Sequence, residues 1–178
     1  RPMIAHQHLL NSASEEMKRL RDLSWETVVL SIRMGLERIC LEEMKGLHDI
    51  RFTLGEGFVG PIYMGSAGKL LLSEMEDSDL DLLVKNLELI PLTKSTITDI
   101  KQLFKEIEKI RKQGYSLSFG ERVPESASIS VAVKNYVCPV ALTILGPESR
   151  LTHDVMMRIL KEMKGSAERI SRNLAKTA

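Results

Sequence analysis

The feature that most constrains this chain is the order in which its hydrophobic period changes. From Met3 to Arg21 the apolar positions Leu9, Leu10, Ala13, Met17 and Leu20 recur every three or four residues, the mark of a helix with one buried stripe. The period then shortens. Trp25 to Ile32 is rich in strand-favouring side chains, Gly35 interrupts, and Arg38 to Met44 resumes, which reads as a hairpin. A third short strand is expected at Asp49 to Leu54. Gly55 to Pro61 carries three glycines and a proline before Met64 and is expected to be a loop. A helix should start near Gly65 and another should run from Ser78 to Asn86. Thr98 to Gln113 places Ile100, Leu103, Phe104, Ile107 and Ile110 on one helical face, with Asp99 as an acceptor at its start and Gly114 at its end. Strands are expected again at Tyr115 to Phe119, Ala127 to Lys134 and Val137 to Leu145, with Asn135-Tyr136 as a tight turn. Thr152 to Leu174 closes the chain as a long amphipathic helix. Connections of these lengths suit antiparallel hairpins, not βαβ crossovers, so the expected class is α+β: an antiparallel sheet with flanking helices. Residues 1–178 are expected to form one domain, with a leading helix over 1–24, the sheet and its pocket-forming helices over 25–150, and the C-terminal helix over 151–178.

Composition narrows the function. The chain has 178 residues, 43% of them hydrophobic, enough for one substantial core. Twenty-five basic residues against 24 acidic ones leave a net charge of +1, and the two signs interleave, as in Lys105-Glu106-Ile107-Glu108-Lys109. That is a solvated helix face, not the basic patch of a free-standing nucleic-acid binder. Cys40 and Cys138 read as small buried hydrophobes inside strands. With no disulfide framework, no secretory signal and no membrane-length apolar run, a cytoplasmic protein is expected. The first residue is Arg1, which suggests a further domain upstream.

Enzyme signatures are missing. Gly65-Ser66-Ala67-Gly68-Lys69 invites a phosphate-loop reading, but Tyr63 and Leu70 stand where that motif needs Gly and Ser or Thr. His6 and His8 point to different helix faces, and no Cys or His pair has zinc-binding spacing. No Gly-x-Ser-x-Gly elbow occurs. The expectation is therefore no enzyme, no metal and no cofactor.

A resemblance emerges from Gly114 to Asn135. Gly114, Ser118, Glu121, Ser128, Ile129, Ser130, Val133 and Asn135 resemble the signature of the IclR (isocitrate-lyase regulator) family of bacterial transcription regulators, with a departure at Lys134 where a ring is usual. Pro61 to Leu72 is similar to the family's proline-led loop entering a Gly-Lys helix. Ala141-Leu142-Thr143-Ile144-Leu145-Gly146-Pro147 resembles its Ala-Leu-Ser-aliphatic-Ser-Gly-Pro block, with both serines replaced, and Arg150-Leu151-Thr152 opens the last helix as is usual there. The resemblance implies a GAF-like effector-binding domain, a winged helix-turn-helix ahead of Arg1 as the sole DNA contact, and homodimers or homotetramers formed through this domain.

The binding site is expected at a helix start. Amides near Gly65 and Ser66 lack intrahelical partners and suit an anion, and glycine permits close approach. The resemblance brings Ser118, Ser128, Thr143 and Leu145 from later strands to the same metabolite-sized cavity. Phe52, Leu54 and Met64 are expected as apolar wall. Because Ser118 and Leu145 replace more polar family residues, the expected effector is a small organic acid with an apolar or aromatic body. Glu121 is expected to fix a turn or pair with a base, and Trp25, Met156, Met157 and Met163 to serve core or subunit packing. The alternatives are a ligand-free assembly domain and a small enzyme on the same scaffold.

Overall fold

The computed structural model describes residues 6–176; the start of the expected leading helix, at Met3 to Ala5, lies outside them. The chain runs through α1 (Gln7–Ser24), β1 (Thr27–Met34), β2 (Glu37–Met44), β3 (Val59–Pro61), α2 (Gly65–Ser73), α3 (Asp77–Lys85), α4 (Ile100–Gln113), β4 (Ser116–Phe119), β5 (Ser126–Val133), β6 (Val140–Pro147) and α5 (His153–Lys176). The strands form one six-stranded sheet in the order β3-β2-β1-β6-β5-β4, and every neighbouring pair is antiparallel. The expected α+β class with an antiparallel sheet and flanking helices holds.

Strand alternation gives the sheet two different faces. In β5, Ala127, Ile129, Val131 and Val133 join a core with Val140, Leu142 and Ile144 of β6. Against this face pack α1, through Leu9, Ala13, Met17 and Leu20, and α5, through Met156, Met163, Ile170 and Leu174. The two helices are clasped at Glu16, which accepts from Arg169 at 2.9 Å and from Ser166 Oγ at 2.9 Å. Its pKa falls from 4.5 to about 2, first because of Arg169 and then, against the opposing effect of burial, Arg19 and Ser166. The intervening residues Ser126, Ser128, Ser130 and Ala132 point to the opposite face, which α2 covers. Behind α2 a second core joins it to α3 and α4 through Leu71, Leu72, Leu83, Leu103 and Ile107. One sheet face is thus largely apolar, and the other carries small hydroxylated residues beneath a helix.

Four local expectations need correction. Asp49 to Leu54 is not a strand. At its end the chain is tied to a side chain and not to a strand: Leu54 and the following Gly55 donate to the Glu43 carboxylate at 2.6 and 3.1 Å. The third strand is instead Val59–Pro61, inside the expected loop, where it pairs with Glu37 to Ile39. Trp25 is half exposed (52%) because it ends α1 in the left-handed conformation at φ 63°, so it belongs neither to the core nor to β1. Asn135-Tyr136 is not a two-residue turn, since β5 ends at Val133 and β6 begins at Val140. Pro139 has no N–H for a ladder, and α5 holds the connection, with Ser171 Oγ accepting from Lys134 N at 2.8 Å and its carbonyl from Asn135 at 3.0 Å. Cys138 therefore lies in a loop, whereas Cys40 is buried in β2.

Candidate functional site

The start of α2 is built around two glycines. Met64 is extended, and Gly65 turns the chain into the helix at φ +82°, a conformation that disfavours any side chain. At Gly68 a Cβ would lie 2.2 Å from the Ile62 carbonyl oxygen, so only glycine lets the helix fold back on its own entry. Lys69, one residue on, is buried at 2% exposure. Its Nζ donates to Glu121 Oε2 at 2.7 Å and to the Leu117 carbonyl at 2.8 Å, which bolts α2 to the end of β4. The other oxygen of Glu121 accepts from the Gly65 amide at 3.2 Å. An internal carboxylate thus occupies the anion-favouring helix start: Glu121 pairs with a base as expected, but the expectation of a free amide at Gly65 needs correction, because Glu121 already accepts from it.

Register brings the hydroxyls together. Ser118 lies opposite Ser128, and Ser130 opposite Thr143. Ser66 Oγ from α2 reaches down to Ser128 Oγ at 2.6 Å and Ser130 Oγ at 2.8 Å, and Ser130 Oγ meets Thr143 Oγ1 at 2.6 Å. Among the described residues these hydroxyls partner only one another, with no base to activate one as a nucleophile. The arrangement can bind polar groups but carries no evident covalent chemistry.

The cations are what the sequence reading missed. Arg38 of β2 is buried, at 5% exposure, and its Nε has no hydrogen-bond partner among the described residues. Its pKa is lowered to about 10, first by burial and then by repulsion from Arg122, so it is still charged at neutral pH. Arg122, half-buried just beyond β4, is also shifted down by burial. Both guanidinium groups lie over the Phe58 ring, at 5.5 and 4.9 Å from its centroid. Arg38 is the in-facing neighbour of Cys40 on β2. A charge at a buried strand position was the available signal for it; Arg122, in a turn, gave none.

These groups surround one depression, lined by Val29, Arg38, Leu54, Gly65, Ser66, Ala67, Ser118, Arg122, Ser126, Ser128, Thr143 and Leu145. Seven of the nine expected site residues are therefore brought together: Leu54, Gly65, Ser66, Ser118, Ser128, Thr143 and Leu145. The other two stand apart. Phe52 is half-exposed and offers its carbonyl to Thr27 Oγ1 at 2.6 Å, while Met64 is fully buried in the core behind α2. The expectation of a metabolite-sized cavity also needs correction. The free space is about 30 Å³, room for roughly one water molecule, because the hydroxyls of α2, β5 and β6 close on one another. Among the described residues no cluster of His, Cys, Asp or Glu could hold a metal ion.

This geometry can be set beside known proteins. The family profile described as "Bacterial transcriptional regulator IclR C-terminal" matches residues 2–172. The chain is similar to the HTH-type transcriptional regulator KipR of Bacillus subtilis (31% identical, over 85% of this chain and 62% of that one). It is also similar to the HTH-type transcriptional repressor AllR of Escherichia coli K12 (32% identical, over 85% of this chain and 56% of that one). It thus spans about three-fifths of the length of these relatives. Among solved structures, the Thermotoga maritima IclR superposes with a TM-score of 0.87 at 27% identity, over 93% of this chain and 68% of that one. The C-terminal domain of E. coli KdgR superposes at 0.84 and 22% identity, over 94% and 98%. The inducer-binding domain of Acinetobacter PobR, solved with 3-hydroxybenzoic acid, superposes at 0.81 and 20% identity, over 89% and 95%. The chain belongs to the IclR family of bacterial transcriptional regulators, as its C-terminal domain.

Proposed function

We propose that this domain senses a small organic acid and controls, through its assembly, DNA binding by a winged helix-turn-helix in the full-length regulator. One observation carries the reading: the hydroxyls of Ser66, Ser128 and Thr143 and the Arg38 guanidinium, which no carboxylate balances among the described residues, converge on a single depression. A buried cation with an aromatic ring but no carboxylate beside it is costly, and an acid lodged there would supply the missing charge. AllR and KipR are named as regulators, and the Acinetobacter domain holds an aromatic acid, so the reading agrees with what is stated of those proteins. Entry of the acid requires the one-water cavity to open. The ligand would exchange hydroxyl–hydroxyl bonds for bonds to its carboxylate, displacing α2 relative to β5 and β6. On its far face β5 carries α5, which packs along α1, and this gives a physical route to the rest of the protein. Coupling of this kind is typically about 1–3 kcal/mol, a graded change of DNA affinity. The domain acts in this scheme as a binding module and not as an enzyme.

The small cavity and the mutually satisfied hydroxyls favour a second reading, a ligand-free assembly domain. Thermal-shift screening against aliphatic and aromatic carboxylates separates the two. A ligand at a hundred times its Kd adds about 2.7 kcal/mol to native stability. Ser128→Leu should abolish that gain. A shift that survives Ser128→Leu removes the pocket assignment, and no shift with any acid favours the assembly domain.

A further inference from the structure

The ledger of charge around the depression is one-sided. Arg38 and Arg122 both line it, and no acidic side chain does. The two nearest charged groups of the helix start, Lys69 and Glu121, neutralise each other. Arg38 is nine-tenths buried with Nε unpartnered, and its terminal nitrogen Nη2 lies 3.7 Å from where a Cβ on Gly65 would stand, against the helix start. Arg122 lies over the same Phe58 ring. The two guanidinium carbons are therefore no farther apart than the sum of their ring distances, about 10 Å. Like charges held that close, one of them out of water, repel. A shared ring offsets only part of that cost.

We infer that Arg38 and Arg122 form a two-cation clamp for a small dianion, one anionic group seated on Arg38 at the start of α2 and the second on Arg122. The inference rests on the acid-sensing reading above and specifies its ligand. A monoanion would neutralise Arg38 and leave Arg122 facing another cation across Phe58. A dianion neutralises both, and each guanidinium can bind an oxygen pair in the planar, bidentate manner that lysine cannot match. The expected body is short, because the clamp spans so little, and its carbon skeleton would lie against Val29, Leu54 and Leu145. Two carboxylates, or a carboxylate and a phosphate, meet this description equally.

The test uses isothermal titration and thermal shift on the purified chain. The probes are the α,ω-dicarboxylates from oxalate to adipate, each beside the monocarboxylate of the same carbon number, with phosphoglycolate as the carboxylate-phosphate arm. At least one dianion should bind ten or more times more tightly than its monoanionic counterpart. If it is a dicarboxylate the natural effector has two carboxylates; if only phosphoglycolate binds, one group is a phosphate. Arg122→Gln should bring the dianion down to monoanion affinity. Arg38→Met should remove binding of both, yet hold or raise the melting temperature of the ligand-free protein, because it deletes a buried charge that nothing there balances. Monoanions that bind as tightly as dianions, or an Arg122→Gln variant with unchanged affinity, overturn the clamp while leaving acid sensing intact. Failure of every dianion overturns the clamp, and failure of the wider carboxylate screen as well removes the sensing reading with it.

Discussion

The Lys69–Glu121 pair gives the sharpest stability prediction, because three variants together separate an ion pair from simple packing. Lys69 is 2% and Glu121 6% exposed, with Nζ and Oε2 2.7 Å apart. Removing one partner of such a pair leaves a buried charge unanswered, which typically costs about 3–5 kcal/mol. In Glu121→Gln the amide oxygen can still accept from Gly65, and Lys69 keeps the Leu117 carbonyl at 2.8 Å and Glu106 at 3.6 Å. The loss should therefore fall at the low end, about 3 kcal/mol. With a urea m-value near 2 kcal/mol per molar, the midpoint should drop by about 1.5 M, and the melting temperature by roughly 6–12 °C for a domain of this size. Lys69→Met strands the Glu121 carboxylate and should cost about as much. The double variant removes both charges, so it should be clearly less damaged than the sum of the singles, with a coupling of about 2 kcal/mol or more. Urea unfolding followed by circular dichroism measures all three. Single variants that each lose less than about 1 kcal/mol, or a double variant equal to their sum, would refute the view that this pair holds the start of α2 to β4.

Three further outcomes follow from other parts of the molecule. Glu16 has a folded pKa of about 2 against 4.5 ordinarily, so its clasp of α1 to α5 contributes fully above about pH 4.5 and is lost as the pH falls toward 2. Glu16→Gln should be less stable than the wild type at neutral pH and converge with it near pH 2; a gap independent of pH contradicts the assignment. Gly68→Ala forces a Cβ to within 2.2 Å of a backbone oxygen and should cost about 3 kcal/mol or prevent folding. Gly114→Ala, at φ +80° with nothing within 4 Å, should lose only the backbone penalty of about 1–2 kcal/mol, and equal melting temperatures for the two would contradict the packing account. The Cys40 thiol is raised to about 12, chiefly by burial and then by Glu43, so it should resist iodoacetamide in the native protein at pH 8 and react on unfolding, as read by mass spectrometry. Native labelling as fast as unfolded labelling would contradict its burial.

Local sequence determined the elements whose signal is local. The stripe of Leu9, Ala13, Met17 and Leu20, the Asp99 cap that accepts from Lys101 N at 3.0 Å and the left-handed Gly114 that ends α4 follow from periodicity and capping chemistry within a few residues. The blocks around Ser118, Ser128 and Thr143 pointed to a common site because the resemblance carries positions, and strand register then set those hydroxyls side by side. What lay beyond reach depended on partners distant in the chain. Whether Arg38 faces solvent or the depression is decided by how β2 pairs with β1, where the register slips between Leu30 and Ser31, and one step of register turns a side chain to the other face. Asp49 to Leu54 is expected as a strand, but it forms none, and its last amide goes to the Glu43 carboxylate across the chain. The cavity is narrow because four hydroxyls find one another and Glu121 reaches the Gly65 amide across 56 residues of chain. Period and propensity are properties of a short window, whereas burial, register and the pairing of charges are settled only when the sheet closes and α2 lies down upon it.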